Sequence, residues 1–174
     1  MVSSDTGRCY WLTGLSGAGK TTIARTLRDS MQSQGKRVEV IDGDEIRRQN
    51  PVAIGYSKQD RDRNVLLAGR RALEVVSEGH IAIAALISPY DITRKRVRQM
   101  FAVGSFALIH VATPLETCEM RDPKGLYAKA RAREIAHFTG VSDVYEPPTD
   151  AELVLDTTGL TAVEAVAVIQ RAMP

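Results

Sequence analysis

Apolar positions along the chain follow two rhythms. Short runs at Arg8 to Thr13, Val38 to Ile41, Ile81 to Ile87, Phe106 to Val111 and Leu153 to Leu155 have the length and the bounded form of strands. Between them the spacing turns helical, with Ile23, Ala24, Leu27 and Met31 recurring up to Gly35, and Val65, Leu66, Gly69, Ala72, Leu73 and Val76 up to Gly79. Ile81 to Ile87 is apolar throughout, as expected of a strand covered on both faces, and Phe106 to Val111 repeats the pattern. A strand, a helix and a second strand in succession imply parallel pairing with a right-handed crossover. The pattern therefore predicts an α/β fold of three layers around a central parallel sheet of about five strands.

Polar residues mark the helix starts. Ser57 with Asp60 caps the long second helix, Thr161 with Glu164 caps the last one, and Thr113, Pro114 and Glu116 predict a third capping box with proline at the first helical position. Residues 121–148 fit neither rhythm: they are polar and basic, with Lys124, Lys129, Arg131 and Arg133 set among small residues. So long a stretch without a core pattern inside a compact domain is expected to be either a functional lid or disordered.

Composition narrows the class. At 174 residues, two separate cores would have only about 87 residues each, so one domain is expected. With 44% hydrophobic and 25% charged residues the chain is globular in type. Its 23 Lys plus Arg against 21 Asp plus Glu leave a formal charge of +2, too balanced for a protein that coats nucleic acid. The longest apolar run has seven residues, against about 18 to 20 for a bilayer span, so no membrane partner is expected. The polar stretch Met1 to Cys9 lacks the apolar core of a signal peptide, which points to a cytoplasmic or organellar-matrix protein. Cys9 and Cys118 lack metal-site spacing and are expected as reduced, packed thiols.

The chemistry enters at Gly14-Leu15-Ser16-Gly17-Ala18-Gly19-Lys20-Thr21, which matches GxxxxGK[ST] between a predicted strand and a predicted helix. Glycines there allow backbone N–H groups to point at phosphate oxygens, Lys20 reaches the β and γ phosphates, and Thr21 offers a hydroxyl to Mg²⁺. A P-loop is shared by kinases, switch GTPases and motor ATPases. Asp122 to Gly125 matches a loose DxxG, but no NKxD follows it, and the third strand runs into Ser88 without a Walker-B aspartate. The metal-side carboxylate is expected instead from Asp42 and Asp44, at the end of strand two beside the ligand crevice. One can hold Mg²⁺ through water while the other orients the proton of an attacking hydroxyl. Arg47 and Arg61, on two helices near that crevice, offer forked cations to an anionic acceptor.

The run WLTGLSGAGKTT at 11–22, DGDEIR at 42–47, GYSKQDRDRN at 55–64, ISPY at 87–90, RDPKGLYAKARA at 121–132 and FTG at 138–140 together resemble the adenylyl-sulfate kinase family. That resemblance spans about Tyr10 to Pro148, and blocks such as KGLY and DGDxxR are more specific than a P-loop. It implies a P-loop nucleoside-triphosphate hydrolase fold and transfer of the ATP γ-phosphoryl group to the 3′-hydroxyl of adenosine 5′-phosphosulfate. On this likeness the P-loop, Thr22 and Arg121 form the donor site, with Arg121 against the adenine of ATP, and Thr21 and Asp44 serve Mg²⁺. Arg47, Arg61 and Asn64 would hold the phosphosulfate and ribose of the acceptor, beside Asp42 and Asp44. Tyr56 and Phe138 would sandwich its adenine, and Ile87 and Ser88 would contact it from the loop after strand three. Lys20, Asp44, Lys124 and Ser88 are the expected catalytic set, with Lys124 bridging donor and acceptor phosphates. Ser88 matches a serine described for the family as a phosphoenzyme site, although in-line transfer needs no covalent intermediate.

The chain departs from the family pattern at three places. Tyr56 replaces a common phenylalanine, Arg133 a common lid glycine, and Asp91 an arginine that often follows SPY. The segment before the first strand is shorter than in many relatives. The resemblance also implies a homodimer and functional coupling to an ATP sulfurylase. Two competing readings are a P-loop kinase acting on another nucleotide-like acceptor and a non-catalytic nucleotide-binding subunit.

Overall fold

The computed structural model describes residues 7–50 and 52–173, so residues 1–6 of the polar N-terminal stretch read above lie outside the described residues. Five strands, β1 (Arg8–Thr13), β2 (Val38–Asp42), β3 (Ile81–Ala85), β4 (Phe106–Val111) and β5 (Leu153–Leu155), pair in the order β2-β3-β1-β4-β5, and every pairing is parallel. Seven helices flank them: α1 (Lys20–Ser33), α2 (Gly43–Gln49), α3 (Lys58–Ser77), α4 (Asp91–Arg98), α5 (Leu115–Arg121), α6 (Leu126–Arg131) and α7 (Ala162–Ala172).

Alternation along β1 sorts the core into two layers. Tyr10 and Leu12 face α1 and α7, packing with Ile23, Leu27, Val166 and Ile169. Cys9 and Trp11 face α3 and α4, packing with Val65, Ala72, Val97 and Phe101. Because a central strand has no solvent face, both sets are apolar, which explains the unbroken run in the sequence. Both cysteines are free and fully buried, and burial pushes their thiols up, so neither is a ready nucleophile. The capping boxes at Ser57 and Thr161 form as expected.

Two expectations need correction. β3 stops at Ala85 rather than Ile87: the chain turns away through Ser88, at φ 39°, and the Ile87 carbonyl accepts from the Thr13 hydroxyl at 2.7 Å. The capping box at Thr113 does not form: Pro114 takes the N-cap position of α5, and the Thr113 hydroxyl shares a 2.6 Å hydrogen bond with Thr157 below the P-loop. The helices α2, α4 and α6 are too short to have shown a full apolar period. Residues 121–148 contain α6 and then an irregular path, and they fold over the carboxyl ends of β1, β2 and β3.

Candidate active site

Strand order reverses at β1, with β3 and β2 on one side and β4 and β5 on the other, and a parallel sheet opens its crevice at such a point. The P-loop leaves β1 there. Gly14 lies so close to β4 that a Cβ would meet the Val111 carbonyl oxygen at 2.4 Å, and Gly17, at φ 75°, approaches the Cys118 carbonyl in the same way. No other residue type fits either position.

The cleft beside the loop has a volume of about 630 Å³, enough for nucleotide-sized ligands. Ser16, Gly17, Gly19, Lys20, Thr21 and Thr22 line it, whereas Gly14, Leu15 and Ala18 form the loop's back wall. Lys20 is 8% exposed, and burial lowers its ammonium to about 8, with the nearby Asp44 and Asp42 opposing the shift. Its Nζ donates to the Leu15 carbonyl at 2.6 Å.

Asp42 ends β2 and caps α2, accepting from the Asp44 N–H at 2.9 Å. Its other carboxylate oxygen accepts from the Thr21 hydroxyl at 3.0 Å. Asp42 is thus the carboxylate that touches the P-loop threonine. Asp44 faces across the cleft mouth and forms an ion pair with Lys124 of the lid. Both partners are more than half exposed, so the pair is weakly held and open to exchange for phosphate. Thr21, Asp42 and Asp44 offer hard oxygens. Among the described residues no three His, Cys, Asp or Glu side chains converge as a metal site. That donor set fits Mg²⁺, which keeps several waters and is completed by substrate phosphates.

Arg47, Tyr56, Arg61, Asn64, Ile87, Ser88 and Phe138, the residues expected to hold the acceptor, all border the same cleft. Arg47 donates to the carbonyls of Ile54, at 3.1 Å, and Gly55, and its guanidinium covers one face of Tyr56 at 4.5 Å. Arg61, 8% exposed, donates to the Tyr56 carbonyl at 2.9 Å, to the Thr139 hydroxyl and to the His137 carbonyl. These contacts use three of its five N–H donors and tie α3 to the lid. Asn64 donates to the Gly43 carbonyl at 3.1 Å, while its buried Oδ1 has no partner and is free for a ligand hydroxyl. Phe138 packs edge-on against Tyr127 with ring centres 5.0 Å apart.

Ser88 lines the cleft and is 2% exposed; its hydroxyl accepts from the Trp11 indole N–H at 3.1 Å and donates to the Thr13 hydroxyl at 2.9 Å, so its proton is committed inside the core. Asp91 does not border the cleft at all. It opens α4 and pairs with Lys95 at 2.6 Å, which holds its carboxyl below the usual range. Arg133 occupies a left-handed conformation, φ 62°, at the very place where glycine would relieve it.

The sequence did not reveal Thr157. Its hydroxyl donates to the Ala18 carbonyl at 3.0 Å, and Arg121 donates to its carbonyl and hydroxyl, both at 2.9 Å. Nothing in the run Asp156 to Gly159 announces that role beyond its polar turn composition.

Residues 6–156 match the profile of the Adenylylsulphate kinase family. The chain is 47% identical over 148 residues to the adenylyl-sulfate kinase of Shewanella halifaxensis, covering 85% of this chain and 72% of that one. It is 44% identical over 167 residues to the adenylyl-sulfate kinase of a Synechococcus species, covering 96% and 94%. The APS kinase of Mycobacterium tuberculosis in complex with AMPPNP and APS superposes with a TM-score of 0.91 at 35% identity, covering 96% of this chain and 97% of that one.

Proposed function

The chain belongs to the adenylylsulphate kinase family, and from that membership we infer that it transfers the γ-phosphoryl group of ATP to the 3′-hydroxyl of adenosine 5′-phosphosulfate. The observation that carries this reading is the single cleft in which a P-loop with Lys20 faces Asp44 and Lys124, with Arg47, Arg61 and Asn64 along the adjoining wall. We read the chain as one kinase domain, residues 1–174, with its lid over 121–148.

In this reading the P-loop amides and Lys20 gather the donor phosphates, and Arg121, held by the hydroxyl and carbonyl of Thr157, borders the nucleoside end. Arg47 and Arg61 offer charge to the phosphosulfate, the open face of Tyr56 and the ring of Phe138 meet the acceptor base, and Asn64 Oδ1 accepts from a ribose hydroxyl. Asp44 receives or orients the 3′-hydroxyl proton once Lys124 leaves it for the transferring phosphoryl group. Thr21 and Asp42 would hold Mg²⁺, with Asp44 at its edge; when bound, the ion neutralises charge on the β and γ oxygens. Direct in-line transfer fits a site in which the Ser88 hydroxyl is buried and donates to Thr13.

No helix among the described residues is long and apolar enough to cross a membrane. A cytoplasmic location, a homodimer and coupling to an ATP sulfurylase follow from the family resemblance as proposals, and light scattering of the purified chain, alone and mixed with a sulfurylase, tests the last two. The decisive assay couples ADP release to NADH oxidation with ATP, Mg²⁺ and adenosine 5′-phosphosulfate, set against other nucleoside phosphates. Turnover confined to adenosine 5′-phosphosulfate supports the reading; preference for another acceptor removes it.

A further inference from the structure

Arg94 is a cation in the wrong place for stability alone. It sits in α4 at 2% exposure, outside the catalytic cleft, and its nearest carboxylate, Asp91, is 3.4 Å away. Its Nε is buried without a partner. Burying a charge is costly even with the Asp91 carboxylate and the Tyr145 ring, 5.8 Å away, beside it, and an apolar side chain of similar size would pack there at less expense.

Its remaining donors join two segments that are far apart in sequence. One terminal nitrogen donates to the Ser88 carbonyl at 2.7 Å and the other to the Glu146 carbonyl at 2.6 Å. The first segment is the loop after β3, where Leu86, Ile87, Ser88 and Pro89 border the cleft. The second is the C-terminal root of the lid.

Around Arg94 the two are sewn together further. The Glu146 N–H donates to the Pro89 carbonyl at 2.8 Å, and its carboxylate accepts from the Asp91 N–H at 2.7 Å. Because the Thr13 proton goes to the Ile87 carbonyl, the 3.0 Å contact between Thr13 and Tyr145 is a donation from the tyrosine. A closed chain results: the Trp11 indole donates to Ser88, Ser88 to Thr13, Tyr145 to Thr13, and Thr13 to the loop. Ser88, directly before Pro89, is held at φ 39°, a conformation that a free loop would abandon.

We propose that Arg94 is a positioning residue for the acceptor substrate, its buried fork holding the strained 86–90 loop and the lid root in one fixed relation. The inference rests on the kinase reading above and adds to it a group that touches neither nucleotide. Removing the fork leaves the P-loop untouched, since Arg94 has no contact with it. The acceptor side alone should loosen.

The test is Arg94→Lys, which keeps the charge but cannot span both carbonyls, measured by steady-state kinetics for each substrate alongside thermal unfolding. The expected result is a KM for adenosine 5′-phosphosulfate raised roughly tenfold or more, with the KM for ATP within about twofold of wild type. Amides of 86–90 and 144–147 should exchange faster in the same variant. A fully active lysine variant would show that charge alone suffices and would overturn the proposal, as would an equal rise in both KM values. If Arg94→Lys does not fold, Tyr145→Phe, which removes one hydroxyl of the same network, decides: a selective rise in the acceptor KM supports the proposal and unchanged kinetics overturns it. Wild-type protein inactive on adenosine 5′-phosphosulfate would instead sink the kinase reading.

Discussion

Lys20 is asked to be buried and charged at once. Burial wins in the unliganded protein, where its ammonium titrates at about 8 instead of 10.5. Between those values the unfolded chain binds the proton and the folded one does not, so Lys20 by itself makes stability rise with pH across that window. Donor phosphates reverse the balance by restoring a partner for the charge. Binding of a non-hydrolysable ATP analogue at about pH 9 should therefore take up close to one proton, measured as the dependence of calorimetric enthalpy on buffer ionisation. Lys20→Ala should lose both that uptake and phosphoryl transfer while unfolding as one cooperative unit; uptake that survives the substitution would assign the proton to another group.

Asp44 carries the second residue-scale expectation. Asp44→Asn keeps size and cannot accept a proton, so kcat should fall by about a hundredfold or more while nucleotide affinity changes little. A change confined to affinity, read by calorimetry, would make Asp44 a binding residue. The P-loop and the DGD run were legible because their chemistry is set by contiguous residues at fixed spacing. The direction of a side chain is another matter: the Ser88 hydroxyl turns inward because of a positive φ and a hydroxyl on β1, 75 residues away, and no local spacing encodes either. The same holds for the different directions of Asp42 and Asp44, one capping α2 beside Thr21 and the other facing Lys124.

At the scale of elements, what could be read was what repeats. β1, β4 and the stripes of α1 and α3 announce themselves over two or more periods, whereas α2, α4 and α6 have six to eight residues each and too few turns to show one. Inside the lid, Asp122 ends α5 and turns its carboxylate onto the first turn of α6, accepting from the N–H groups of Tyr127 and Ala128, both at 3.1 Å. The DxxG likeness is thus a helix cap. Arg133, just past α6, bears the strain of a left-handed residue that lacks glycine's freedom, about 1 kcal/mol. Arg133→Gly should raise the unfolding temperature by no more than about 2 °C, because the entropy glycine adds to the unfolded chain offsets roughly 0.4–1 kcal/mol of the relieved strain. A lower melting temperature, by differential scanning calorimetry, would show that the αL backbone is accommodated without strain.

For the molecule as a whole, the lid's sparse apolar residues are its attachment points. Tyr127 is 1% exposed and donates to the Ser16 carbonyl at 2.8 Å, and Phe138 packs on the Tyr127 edge, so the donor half of the lid leans on the P-loop. The acceptor half hangs from Arg61 through His137 and Thr139, and its root is fixed at Tyr145 and Glu146. Between these anchors, residues 131–136 are almost all solvent-facing. Local opening tracks such contrasts in burial, so exchange across the lid should be uneven even without ligand, slow at 138–145 and fast at 131–136. ADP engages the P-loop end alone and should protect residues near Lys124 and Tyr127. Adenosine 5′-phosphosulfate added with ADP should protect 131–136 as well, since only then are both ends drawn down. Arg61→Ala cuts the acceptor-side tie: it should raise the KM for adenosine 5′-phosphosulfate much more than that for ATP and abolish the second increment of protection while leaving the ADP increment intact. Equal protection in all ligand states, by hydrogen exchange read peptide by peptide, would make residues 121–148 a rigid wall of the cleft and end their description as a lid.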